Sequence, residues 1–174
     1  MRSWRAGDAP QLLAALSSDP ELVRQLPAMS TQDEARAWIA TLSGQWVFAL
    51  VVDGLARGQV AVTGVDGRHG TAWFSYWAHP EIRGRGITSR AAATVADWAI
   101  RDARVRRLEL GHRVNNPASG RVAEKAGFVA EGIERAKLCY AGEVFDVRTM
   151  SRLATDPWPR YEPVEVVAPS GVPG

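Results

Sequence analysis

The segment Arg83-Gly84-Arg85-Gly86-Ile87-Thr88 holds the most chemical potential in the chain. Two closely spaced glycines let a backbone turn tightly and approach a ligand closely. The segment follows a predicted strand and opens a predicted helix. The first turn of a helix leaves amide N–H groups unpaired and carries a partial positive charge. Together these make a cradle for phosphate, with arginine as counter-charge. The segment lacks the Gly-Lys-Ser/Thr ending of a P-loop and the glycine spacing of a dinucleotide-binding fingerprint. Taken alone, it reads equally well as an exposed loop without a ligand. Downstream, Asn116-Pro117-Ala118-Ser119 and Glu124-Lys125-Ala126-Gly127-Phe128 form a second cluster. By itself that cluster is an ordinary helix start and glycine stop, with Asn or Ser making local hydrogen bonds.

The composition bounds the class of molecule. The chain has 174 residues, 46% hydrophobic and 23% charged, as expected of one globular domain. Net charge is +2, and 19 of the 21 cationic residues are arginine. The charge is uneven along the chain. Residues 1–82 hold 6 arginines against 8 acids, residues 83–113 hold 8 arginines against 3 acids, and residues 114–174 hold 7 cations against 8 acids. A net +2 is too small for a general nucleic-acid binder, whereas a central segment at +5 fits a small phosphorylated ligand. Cys139 is the one cysteine, so an internal disulfide is impossible. No apolar run approaches the roughly 20 residues of a membrane helix. Met1-Arg2-Ser3-Trp4-Arg5 leads into a polar stretch without a signal-peptide core. The expectation is a soluble, cytoplasmic protein that engages neither membrane nor nucleic acid.

The elements that would position these clusters follow from periodicity. Asp8 and Asp19 start short helices through Gln11–Leu16 and Glu21–Leu26. Thr31 and Glu34 form a capping box for a helix burying Ala35, Trp38, Ile39 and Leu42. Strands follow at 45–53, 58–64 and 71–79, joined by the Asp53-Gly54 turn and a loop at 65–70. A helix is predicted over 88–103, a strand over 107–114, a short helix from Ala118 or Ser119 to Gly127, and a hairpin over 128–153 turning at Ala141-Gly142. The order predicts an α/β (α+β) domain at 1–153: one mixed, mostly antiparallel sheet flanked by helices. The Pro-rich segment 154–174 is expected to be an extended or disordered tail.

Taken together, the two clusters resemble the GCN5-related N-acetyltransferase (GNAT) superfamily, closest to its RimJ/RimL-type branch. Arg83 to Thr88 is similar to that superfamily's Gln/Arg-x-x-Gly-x-Gly/Ala motif, with Thr88 where the last small residue belongs. Tyr76-Trp77-Ala78-His79-Pro80-Glu81 resembles the branch's Tyr-Trp-x-x-Pro-Glu. Asn116 to Phe128 resembles Asn-x-x-Ser…Glu-Lys-x-Gly-Phe. The likeness spans about residues 2–153.

The resemblance implies the GNAT fold with a V-shaped strand splay, and an acyltransferase using acetyl-CoA or another short acyl-CoA, without a metal. It implies that Tyr76, Trp77 and Ala78 pair with the pantetheine arm. It places the pyrophosphate on Gly84, Arg85, Gly86, Ile87, Thr88 and Ser89, with Arg83 at the motif's first position. Asn116 would hydrogen-bond the pantetheine, and Ser119 would contact the departing thiolate. The acceptor would be an amine, on a protein N-terminus or a small molecule. The branch often dimerises, and the final hairpin offers a contact for a homodimer.

The chain also departs from the family. A glutamate base found five residues before the asparagine in the RimI-like branch is Gly111 here, and a tyrosine acid seven residues after it is Ala123. His112 and Glu109 are the nearby alternatives, His112 being the candidate catalytic group. At pH 7 a lysine amine with pKa near 10.4 is neutral in about one molecule in 2,500, a peptide α-amine in roughly one in ten. A site without a strong base suits the α-amine, or another weakly basic amine, better. The rival reading is a non-catalytic acyl-CoA-binding or regulatory module of the same fold.

Overall fold

The computed structural model describes residues 1–167, and its backbone follows the burial pattern of the sequence. Seven strands form one sheet: β1 (Arg2–Ser3), β2 (Trp46–Val52), β3 (Leu55–Asp66), β4 (Thr71–Ala78), β5 (Arg107–Arg113), β6 (Val129–Tyr140) and β7 (Glu143–Leu153). Their order is β1-β2-β3-β4-β5-β7-β6. All neighbours are antiparallel except β4 and β5, whose parallel pairing requires a crossover. Helix α3 (Ile87–Arg101) is that crossover. Helices α1 (Ala9–Ser18) and α2 (Gln32–Thr41) cover one face, while α3 and α4 (Pro117–Lys125) cover the other.

This double cover explains the unbroken apolar run of β2. A strand buried on both faces needs hydrophobic residues at every position. Phe48 and Leu50 pack with Val60, Val62 and Phe74 beneath α3. Val47 and Ala49, pointing the other way, pack with Trp4, Leu12 and Trp77.

Local signals place most of the helices. Thr31 Oγ1 accepts from Glu34 N, and Glu34 Oε2 accepts in return from Thr31 N at 3.0 Å, which closes the capping box. Thr31→Ala should cost about 1 kcal/mol in urea unfolding, and a change below a few tenths would show that the cap is redundant. The helix expected at 21–26 is instead a short 3₁₀ turn, Pro20–Arg24. Asp19 caps it by accepting from Glu21 N at 2.9 Å, and Pro27 lies too close for a full α-helix to develop. Helix α4 starts at Pro117 with Asn116, not Ser119 or Ala118, as its N-cap. Proline fits the first helical position because that N–H has no partner in any case.

Residues 154–167 form no regular element but are packed. Trp158 receives the guanidinium of Arg101 at 3.9 Å from its ring centroid and that of Arg152 at 4.9 Å. Tyr161 donates to Asp97 Oδ2 at 2.6 Å, and Val167 N donates to Met1 O at 2.8 Å. The rest of the expected tail, 168–174, lies outside the described residues. Three arginines at and beyond the end of α3 have partners. Arg101 stacks, Arg106 donates to His69 O, and Arg107 pairs with Glu109 and Glu131. The hairpin named above as a homodimer contact exposes Val129, Ile133 and Val144. No helix among the described residues is long and apolar enough to cross a membrane.

Candidate functional site

The site begins where the two parallel strands part. β4 and β5 pair only at Thr71–Trp73 with Arg107–Glu109, although β4 continues to Ala78 and β5 to Arg113. Each strand is held by its other neighbour: β4 stays paired with β3 to Ala78, and β5 with β7 to Arg113. The result is a V-shaped opening in the sheet. His79 N donates to Arg57 O, which sets the phase of the β3–β4 ladder. Alternation then turns the backbone groups of Tyr76 and Ala78 away from β3 and into the opening.

The glycine loop closes the wide end. Gly84 and Gly86 both have φ of +73°, a conformation strained for residues with a Cβ. Gly86 is the N-cap of α3, and no side chain caps that helix. The first helical bond runs from Arg90 N to Gly86 O, so the N–H groups of Ile87, Thr88 and Ser89 have no partner within the helix. A cleft of about 580 Å³ joins this helix end to the opening, with Ala78, Gly84, Gly86, Thr88, Asn116 and Ser119 on its walls.

Several expected residues behave differently from the sequence reading. Arg83 lines the cleft, but two of its nitrogens are engaged by the protein. Its Nε donates to Ala78 O at 2.9 Å and its terminal nitrogen pairs with Asp19, so it braces the 3₁₀ turn against β4. That bond also occupies the Ala78 carbonyl, leaving its N–H for a ligand. Trp77 turns its side chain to the opposite face, stacked 6.0 Å from Trp4. Arg85 is exposed and lies off the cleft wall, while Ile87 packs its side chain against the core. Asn116 spends its Oδ1 on capping Ser119 N, which leaves its amide N–H₂ uncommitted by that bond.

Capping by Asn116 frees the Ser119 hydroxyl. It donates to Tyr76 Oη at 3.2 Å, and Tyr76 in turn donates to Ser119 O at 2.7 Å. Burial pushes the Tyr76 hydroxyl up to about 12, so it keeps its proton across the physiological range. Sequence reading had assigned Tyr76 a backbone role only. Its contact partner lies 43 residues away, and no local pattern marks it.

Gly111, at the position of the missing base, is crowded. A Cβ there would lie 2.8 Å from Val147 Cγ1 and 3.4 Å from Trp73 Cη2, so a glutamate enters only if the Val147 side chain shifts. Glu109 is committed to Arg107 at 2.6 Å. His112 is buried, with its ring against Gly120. Its Nδ1 lies 2.9 Å from Arg113 O, a carbonyl that only accepts, which assigns the proton to Nδ1. Nε2 is left as an acceptor without a partner. No three His, Cys, Asp or Glu side chains cluster as a metal site among the described residues.

A second cleft of about 490 Å³ opens on the α1/α2 side of the V. Trp38, Trp73, Gln59, Gly111 and His112 line it, and it shares Glu21, Arg24, Tyr76, Arg113 and Ser119 with the first. The two clefts thus meet at the Tyr76–Ser119 pair.

Comparison with known proteins agrees with this architecture. A family described as "Acetyltransferase (GNAT) domain" matches residues 1–129. The probable N-acetyltransferase YjcK of Bacillus subtilis is 35% identical over 86 residues, 49% of this chain and 48% of that protein. The ribosomal-protein-serine acetyltransferase of Escherichia coli is 31% identical over 75 residues, 43% of this chain and 42% of that protein. The chain spans about half the length of the curated relatives it matches. The crystal structure of a probable acetyltransferase superposes with a TM-score of 0.75 at 25% identity, covering 87% of this chain and 90% of that one. The ribosomal-protein α-N-acetyltransferase RimL, solved with coenzyme A, shares the fold with a TM-score of 0.77 at 22% identity, over 87% of this chain and 92% of that one. Since the family match covers most of the domain, and the parted strands and glycine-capped helix give it a physical basis, this chain belongs to the GNAT acetyltransferase family.

Proposed function

We propose that the protein is an N-acetyltransferase that moves an acetyl, or another short acyl, group from CoA to an amine by direct attack. The observation that carries this reading is the opening between β4 and β5, which runs into the uncapped N-terminus of α3. A Cβ at Gly84 or Gly86 would meet no protein atom within 4 Å, so the space beside the loop is open, and both glycines line the cleft. That space, edged by N–H groups and the positive helix end, fits a pyrophosphate. Acetyl-CoA would be held there by the amides of residues 84–89 and along β4 by Tyr76 and Ala78, with Asn116 on the facing wall. When bound, it supplies an acyl thioester, a carbonyl that a neutral amine attacks.

In this reading the chain's own groups manage protons and position. The amide C–N bond forms, the C–S bond breaks, the amine loses one proton and the thiol gains one. Tyr76 and Ser119 stand where the clefts meet and hold exchangeable protons for the leaving sulfur. The amine's proton leaves to water in the second cleft, whose wall His112 forms with its unpartnered Nε2 buried beside Gly120. The acceptor is a protein N-terminal α-amine or a small-molecule amine, because no strong base is present to neutralise a lysine.

The test is thiol release from acetyl-CoA with a panel of amines. Binding of CoA without release on any amine would favour the non-catalytic module. Tyr76→Phe should lower kcat about 10²-fold with the KM for acetyl-CoA nearly unchanged. The pH profile follows from the sign of the shift. A phenol raised to about 12 stays neutral below that pH, so Tyr76 gives no falling limb between pH 8 and 10. A falling limb there that Tyr76→Phe abolishes would overturn the raised pKa, and an unchanged kcat in Tyr76→Phe would refute its role as a proton donor.

A further inference from the structure

The second cleft is poor in negative charge, and that bears on the acceptor. Resting on the acetyltransferase reading, we infer that the acceptor amine belongs to a molecule that also carries a carboxylate, which docks on the pair Arg24 and Arg113. Both guanidiniums line the cleft, and both bind one carboxylate, Glu21: Arg24 at 3.0 Å and Arg113 in a direct ion pair. Their side chains are only 25% and 15% exposed. Each also lies over an aromatic ring of the final hairpin, Arg24 over Tyr140 at 4.7 Å and Arg113 over Phe145 at 4.8 Å.

Two half-desolvated cations around one carboxylate leave one positive charge and several N–H donors unmatched. Glu21 is the one acid on the second cleft's wall among the described residues, and Glu143 lines the first cleft only. A planar carboxylate matches the guanidinium fork and restores neutrality. A polyamine or a lysine-rich peptide would instead meet two cations and an acid already shared. The remaining wall is aromatic and amide in character, from Trp38, Trp73 and Gln59. Gln59 is buried with its Oε1 unpaired, a neutral acceptor suited to an amine that arrives uncharged. The transfer itself is unchanged: the amine nitrogen bonds the acyl carbon, the sulfur departs and the proton passes to it.

Two sources supply an amine with a carboxylate, a free amino acid and a peptide N-terminus followed by an acidic residue. Peptides sharing their first residue and carrying Glu, Gln or Lys at the second keep the α-amine pKa near 8 while varying only the distal charge. Thiol release is measured for these and for free phenylalanine. Binding is read separately, from quenching of the cleft tryptophans. The Glu peptide should exceed the Lys peptide at least tenfold in kcat/KM and in affinity. Free phenylalanine exceeding the Glu peptide would identify an amino acid as the source, and the reverse a protein terminus. Arg24→Gln should reduce the Glu-over-Gln preference to within about twofold, and Glu21→Gln should enlarge it. A purely structural cluster would lower binding in both variants. Lys or polyamine acceptors handled as well as Glu would overturn the inference. So would an Arg24→Gln variant that loses CoA affinity but keeps acceptor selectivity, since the cluster would then serve the cofactor. If no amine releases thiol while the fluorescence titration still ranks Glu above Lys, the acetyltransferase reading fails and the carboxylate site stands.

Discussion

Asp97→Ala should destabilise the protein by about 3–5 kcal/mol, the largest loss expected from a single charge-removing change around α3. Arg152 is 1% exposed, and its guanidinium is held by Asp97 and by Ala126 O at 2.8 Å. Removing the aspartate leaves a buried cation without its partner, and the same change frees Tyr161 and with it the chain that follows β7. Arg152→Met should cost less, because Asp97 is 19% exposed and keeps the Tyr161 hydroxyl. Replacing both charges with apolar residues should recover part of the Asp97→Ala loss. Urea unfolding of the three variants measures this. An Asp97→Ala loss below about 1 kcal/mol would show that water reaches Arg152 and that the ion pair is not needed.

Gly86→Val should raise the Kd for CoA by about 10²-fold or more while leaving most of the fold intact. Two costs combine. A β-branched residue at φ +73° is strained by about 1–3 kcal/mol, so the loop relaxes toward another conformation. Relaxation then misdirects the N–H groups at the start of α3, each of which is worth about 1.5–3 kcal/mol when bonded to a charged group. Gly67→Ala is the control: a Cβ there meets nothing within 4 Å, no positive φ is required, and the loop is remote from the cleft. Calorimetric titration with CoA decides the point. An unchanged Kd in a folded Gly86→Val would mean that the glycine loop does not carry the phosphate.

These expectations draw unequally on sequence and structure. The helix start at Thr31, the turn at Asp53-Gly54 and the glycine loop were legible because each depends on backbone rules within a few residues. The sheet-forming run of β2 was legible from hydrophobicity alone. β1 was not, since two residues give no period, and it forms only because Arg2 and Ser3 meet Ala49 and Phe48 across the chain. Asn116 and Ser119 were found together, yet which of them caps α4 depended on a backbone conformation fixed by Pro117. Arg83 was found as a motif residue, but Asp19, which redirects it, lies 64 residues away.

The sequence by itself determined the order of elements, the position of the glycine loop and the excess of positive charge in the central segment. It also showed that the expected glutamate and tyrosine are absent. Only the tertiary structure decided what those features do. It brought the Tyr76 hydroxyl to Ser119, crowded the Gly111 position with the Val147 side chain, and gathered Glu21, Arg24 and Arg113 at one rim. The reason is one of range. Turns, caps and periods are set by interactions between near neighbours in the chain. A site assembled between parted strands is set by side chains that meet only after the sheet has formed and each strand has taken its other partner.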